Sequence, residues 1–146
     1  MSETHGSDDP FPLTWDARLE TGVATIDLQH RVLFDLLLRT REACDRGQPV
    51  DLNALLQQLR AYADYHFRHE EEWLRSHAPS ESTGAAHRRH HVGFLRRLDE
   101  LDTRFRADAL DVQPLLGFLS DWLMDHIARQ DVPLIRPLAQ GLAEKA

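Results

Sequence analysis

Apolar residues recur along most of this chain at alternating steps of three and four, the spacing that lines one face of an α-helix. Four such stripes stand out. Ile26, Leu33, Phe34 and Leu37 predict a helix that starts near Gly22 to Thr25 and ends at Gly47, a residue suited to a helix stop. After a Gln48-Pro49-Val50 link, Asp51 is placed to cap a second helix along Leu52, Leu55, Leu56, Leu59, Ala63 and Trp73. Ser76 to Gly84, with Pro79, Ser80, Ser82 and Thr83, reads as a loop, and the cleanest period follows at Phe94, Leu98, Leu101 and Phe105. The fourth helix opens around Asp111 to Pro114 and carries Leu115, Leu119, Trp122, Leu123 and Ile127. Pro133 and Pro137 are expected to break regular helix, leaving at most a short terminal helix to Ala146.

Four helices with short links pack most simply as an all-α, up-down-up-down four-helix bundle. The expected organisation is an extended N-terminal arm over residues 1–22, a bundle over 23–132 and a C-terminal tail or short helix over 133–146. Gly6, Pro10, Pro12 and Gly22 punctuate the arm, and Trp15 is expected to seal one end of the core.

Every stripe is interrupted by polar residues on its inward face. His30 sits in the first, His66 and Glu70 four apart in the second, His87 and His91 four apart at the head of the third, and His126 in the fourth. Residues four apart on a helix stand one above the other, so each pair can aim two ligand atoms at one spot. In an up-down-up-down bundle the starts of the first and third helices share an end with the finishes of the second and fourth. At ~1.5 Å rise per residue, all six candidates lie within about three turns of that end. His69 and His90 fall about 100° round from the inward positions, His77 lies in the loop and His5 in the arm, so these four are not expected to join them.

Composition narrows the partners. With 17 basic and 24 acidic residues the net charge is -7, and no Lys/Arg run exceeds Arg88-Arg89 or Arg96-Arg97, which disfavours nucleic acid. No apolar run approaches the ~20 residues of a membrane span, and Met1 to Pro10 lacks the apolar centre of a secretory signal, so the expected location is cytoplasmic. The single cysteine, Cys44, excludes an internal disulfide and any Cys-based metal motif, and is expected to pack within its helix.

Imidazole suits iron, copper, zinc and nickel, whereas magnesium and calcium prefer oxygen. Five histidines exceed what one metal usually takes; two metals bridged by carboxylates would use them all. The spacing differs from the Glu-x-x-His of many di-iron bundles, being four residues with His before Glu. On the fourth helix the carboxylate is open between two residues. Asp125 points about 100° away from His126, and Asp131 about 140° away unless the helix bends or bulges before Pro133.

The segments Ile26-Asp27-Leu28-Gln29-His30, Tyr62 with His66-Phe67 and Glu70-Glu71, His87-x-x-x-His91-x-x-Phe94, and Trp122-Leu123-x-x-His126-Ile127 with Asp131 together resemble the hemerythrin family, bacterial hemerythrins most of all. The match runs roughly from Trp15 to Asp131. It departs from the family at Leu74, where methionine is usual, at Ala78-Pro79, where Tyr-Pro is frequent, and in a longer arm. The resemblance implies two iron ions in a non-haem, oxo- or hydroxo-bridged centre with His30, His66, Glu70, His87, His91, His126 and Asp131 as ligands, Glu70 and Asp131 bridging. It also implies that His87, His91 and His126 saturate one iron, while His30 and His66 leave an open position on the other.

An open position is what lets a metal take a ligand. The resemblance therefore implies reversible binding of molecular oxygen, for transport, storage or delivery, by a protein that is not an enzyme. The same centre could instead serve an enzyme reducing oxygen, peroxide or nitric oxide, or an oxygen or redox sensor acting through a separate signalling partner. Leu33, Phe67, Phe94, Leu123 and Ile127 are candidates for the apolar wall of the oxygen pocket. Tyr62 and Trp122 are read as core filler, Glu71 and Glu72 as facing solvent, and Asp27 and Gln29 as candidates to hold ligands from behind.

Overall fold

The computed structural model describes residues 15–106 and 112–145. The arm before Trp15, the side chain of Phe105, the opening at Asp111 and Ala146 lie outside the described residues. Four helices form the bundle: α1 (Ala24–Asp45), α2 (Leu52–His77), α3 (Glu81–Arg106) and α4 (Val112–Asp125). A π-helical turn, His126–Asp131, continues α4 without a break into α5 (Val132–Lys145). Helix α1 packs on α2 and α4, and α2 on α3. Helices α3 and α4 meet through Phe94 and Trp122, whose rings stack at 3.8 Å.

Local chemistry sets the ends of these helices. Asp27, in the first turn of α1, accepts hydrogen bonds from the Thr21 amide and hydroxyl, both at 2.8 Å, and from the Gly22 amide at 3.2 Å. It thereby clamps the preceding turn and takes no part behind a ligand. Gly47 ends α1 at φ +71, a backbone conformation that costs glycine nothing, and the Gln48 amide returns to the Ala43 carbonyl at 2.9 Å. Asp51 caps α2 by accepting from the Ala54 amide at 3.0 Å. The loop before α3 is shorter than its composition suggests. Ala78 turns extended ahead of Pro79, ending α2 at His77. Helix α3 restarts at Glu81, with the Ser80 hydroxyl on those of Ser82 and Thr83.

The fourth helix also outlasts its expected break. Pro133 stands in the first turn of α5, where its missing N–H interrupts a ladder the π-turn has already disturbed, and α5 runs on through Pro137 to Lys145. Burial of Ile135 and part-burial of Leu134 and Leu138 hold that segment against the bundle. Arg136 adds a clasp to the chain entering α1, donating to the carbonyls of Ala17 at 3.0 Å, Arg18 at 3.2 Å and Glu20 at 2.6 Å. Trp15 packs edge-on against Phe34 at 5.7 Å, with the Arg31 guanidinium over its ring.

The core divides in two. A large cluster, including Leu33, Leu37, Leu59, Phe67, Leu98, Leu119 and Ile127, fills the length of the bundle. A small one, Ile26, Leu74 and Ile135, closes one end. Each of these three lies four residues from a buried polar residue, Ile26 before His30, Leu74 after Glu70 and Ile135 after Asp131. A polar layer is thus sandwiched between the main core and a three-residue apolar plug.

Candidate metal centre

All seven residues that the sequence singled out lie in that layer, each 5% exposed or less. The position of Asp131 depends on the π-turn. On a regular helix it would point about 140° from His126, but in this turn the Val132 amide reaches the Ile127 carbonyl five residues back, so residues five apart come nearly into line. Asp131 Oδ2 accordingly lies 3.0 Å from His126 Nε2. Asp125, the other candidate, points outward and pairs with Arg129 at 3.4 Å.

The ligand atoms fall into two groups, each within 4.8 Å of one another and each able to hold a metal ion. One contains His87, His91, His126, Glu70 and Asp131; the other contains His30, His66 and the same two carboxylates. Glu70 divides its oxygens between them. Its Oε1 faces His87 at 2.6 Å and His91 at 3.0 Å, and its Oε2 faces His30 at 3.3 Å and His66 at 3.2 Å. Asp131 also reaches both groups, with Oδ1 2.8 Å from His87 and Oδ2 shared between His30 at 2.9 Å and His126 at 3.0 Å.

Close approach is not the same as satisfaction. His30 Nε2, His66 Nε2, His126 Nε2, Glu70 Oε2 and both Asp131 oxygens have no hydrogen-bond partner although none reaches water. Burying such groups unpaired costs about 1–3 kcal/mol each, so an array of them calls for a cation to gather their lone pairs. The donor set fits two borderline transition-metal ions such as iron.

The electrostatics agree. Burial alone would keep Glu70 and Asp131 neutral, but the surrounding imidazoles outweigh it and hold both carboxyls below their usual range. Burial also disfavours the His30 and His87 imidazolium forms, yet Asp131 and Glu70 raise them to about 9 and about 10. His66, which has only Glu70 close by, is instead lowered by its burial. Without metal, then, the pocket draws in protons as positive charge.

Outer partners fix two of the rings. His66 Nδ1 donates to Gln29 Oε1 at 2.8 Å and His91 Nδ1 to Glu71 Oε2 at 2.8 Å, leaving each Nε2 as the lone-pair atom that faces the pocket. Gln29 takes the place expected of it, whereas Glu71, expected to face solvent, turns inward. Glu71 is only 20% exposed, and its adjacency to Glu70 gave no sign that its carboxylate would turn toward α3. Phe67 stacks on His91 at 3.9 Å, and Trp122 on His126 at 4.6 Å, so Trp122 borders the site and is more than filler. His90 also stacks on His126, at 5.2 Å, but belongs to neither group. Leu33, Phe67, Phe94, Leu123 and Ile127 are all buried. His69 faces outward, bonded to the Thr25 hydroxyl at 3.0 Å, and His77 ends α2 stacked on Trp73.

Comparison with known proteins points the same way. Residues 21–135 match the family model described as the hemerythrin HHE cation binding domain. The chain is 28% identical over 132 residues to a bacteriohemerythrin of Pseudomonas aeruginosa (strain LESB58), covering 90% of this chain and 85% of that one. It is 32% identical over 123 residues to a bacteriohemerythrin of Stenotrophomonas maltophilia (strain R551-3), covering 82% and 76%. It is 27% identical over 123 residues to a hemerythrin of Themiste dyscrita, covering 84% and 90%. A crystal structure of a hemerythrin point mutant superposes with a TM-score of 0.74 at 26% identity, covering 88% of this chain and 98% of that one.

Proposed function

This chain belongs to the hemerythrin family, and from that premise we propose that it binds molecular oxygen reversibly at a non-haem di-iron centre, as a cytoplasmic carrier, store or delivery protein. His87, His91 and His126 would hold one iron, His30 and His66 the other, and Glu70 and Asp131 would serve both. The observation that carries this reading is the unequal division of five imidazoles over two shared carboxylates. With the same bridging groups on each side, the two-imidazole position is one ligand short of its neighbour, and a small molecule can fill that place.

Two ferrous ions held there would supply the electrons that reversible oxygen binding needs. The protein's part is to fix donors and keep the site dry. Gln29 and Glu71 orient His66 and His91. Leu33, Phe67, Leu123 and Ile127 supply apolar surface that excludes water, and Ile26, Leu74 and Ile135 close the end of the bundle.

The test is an optical spectrum of ferrous-loaded protein carrying two irons per chain, taken without oxygen, with oxygen and after purging with argon. A visible band that appears with oxygen and vanishes on purging is the expected result. A band that persists, or steady oxygen consumption, would overturn reversible binding in favour of a sensor or an enzyme.

A further inference from the structure

The two metal positions differ in their backing as well as in their number of imidazoles. Behind His66 stands a neutral carboxamide, Gln29, at 2.8 Å. Behind His91 stands a carboxylate, Glu71, also at 2.8 Å. Glu71 lies along a cleft of about 500 Å³ between the end of α2 and the start of α3, lined also by Arg75, Ser80 and Arg88. Water entering this cleft reaches Glu71, so its carboxylate stays solvated on one side while the other grips a ligand ring.

A carboxylate on the far nitrogen of an imidazole makes that ring a stronger donor, because positive charge passed to the ring is met by a full negative charge and not by a dipole. We propose that Glu71 is a positioning residue that lowers the reduction potential of the three-imidazole metal position through His91, and so directs the first electron lost from the pair to that position. Gln29, holding His66 equally well but without charge, leaves the two-imidazole position the more resistant to oxidation of the two. The carboxylate thus separates the metal that binds the small ligand from the metal that gives up charge most readily. This inference rests on the di-iron reading above.

Two variants separate charge from geometry. Glu71→Gln keeps an oxygen for the His91 Nδ1–H and removes the charge; Gln29→Glu places a charge behind His66. Potentials are measured on iron-loaded protein against mediator dyes as one-electron donors and acceptors. Glu71→Gln is expected to shift the one-electron equilibrium about tenfold toward the reduced form, which corresponds to about 59 mV. Gln29→Glu is expected to shift it in the opposite direction, while both variants keep two irons per chain.

An unchanged potential in Glu71→Gln with iron content retained would overturn the inference, reducing Glu71 to a tether. The di-iron reading stands or falls separately, on the iron content and oxygen spectrum of the unaltered protein. Zinc-loaded protein supplies a readout free of redox chemistry. The Nδ1–H proton of His91 should resonate downfield when paired with Glu71 and move upfield in Glu71→Gln; identical shifts would remove the charged hydrogen bond and the inference with it.

Discussion

At the scale of the residue, the seven candidate ligands were legible because six of them sit at helical spacings where an apolar side chain is expected. A buried histidine or glutamate in such a place needs a partner, and spacing alone told where each would point. Spacing alone left Asp131 open against Asp125, because only a bend or bulge before Pro133 would turn it inward, and the family resemblance chose between them. Glu71 was misjudged because its partner, His91, is 20 residues away and its own neighbour had already claimed the inward direction. The clustered charges make a prediction for metal-free protein. His30 and His87 have folded pKa values of about 9 and about 10 against an ordinary 6.5, so their stabilising contribution is complete below about pH 6.5 and is lost as pH rises through those values. Glu70 and Asp131 are held low, so theirs is present above the ordinary carboxyl range and is lost on acidification, with His66 adding to the loss on the acid side. Denaturant midpoints of the metal-free protein should therefore fall between pH 6.5 and 10, whereas zinc-loaded protein should hold its midpoint there because cations replace the protons. A flat metal-free profile would contradict the charge arrangement.

At the scale of the element, helix positions were readable from periodicity, but their ends were decided by chemistry that composition blurs. Ser80, Ser82 and Thr83 read as loop residues, yet they gather at the start of α3. Pro133 and Pro137 read as breakers, yet the first falls in an opening turn and the second is outweighed by the packing around Ile135. The π-turn has no signature of its own in the sequence; it brings Asp131 inward five residues after His126. It therefore acts as one extra residue inserted into a helix. Deleting the exposed Ala128 should restore ordinary helix with His126 and the aspartate four apart, still on one face. The deletion variant should keep its helical circular dichroism and two bound metals, whereas inserting one alanine after Ala128 should swing the aspartate about 100° away and lower the metal count. Loss of metal in the deletion variant would show that the wide turn provides more than helical phase.

At the scale of the whole molecule, the bundle encloses ten buried polar or charged residues among the described ones, and its core splits around the seven candidate ligands among them. The main cluster supplies stability and the small plug supplies closure, and the two jobs can be separated. Leu119→Ala in the main cluster and Leu74→Ala in the plug each remove a side chain exposed by 1% or less, and each should cost about 2–5 kcal/mol in a thermal or denaturant unfolding experiment. Only Leu74→Ala should also speed the loss of bound metal to a chelator, because it opens the end of the bundle next to Glu70. Equal chelation rates in the two variants would mean that metal escapes by global unfolding and that the plug is not a door. The ring of Trp122, lying nearly parallel to His126 at 4.6 Å, brings an optical consequence. An indole so close to an open-shell iron passes its excitation to the metal instead of emitting it, whereas zinc, with its filled d shell, offers no such sink. Trp15 and Trp73 pack instead on Phe34 and His77. Ultraviolet-excited emission should therefore dim as iron enters and stay bright with zinc, and Trp122→Phe should reduce that difference, so that the protein carries a built-in fluorescent gauge of its own loading.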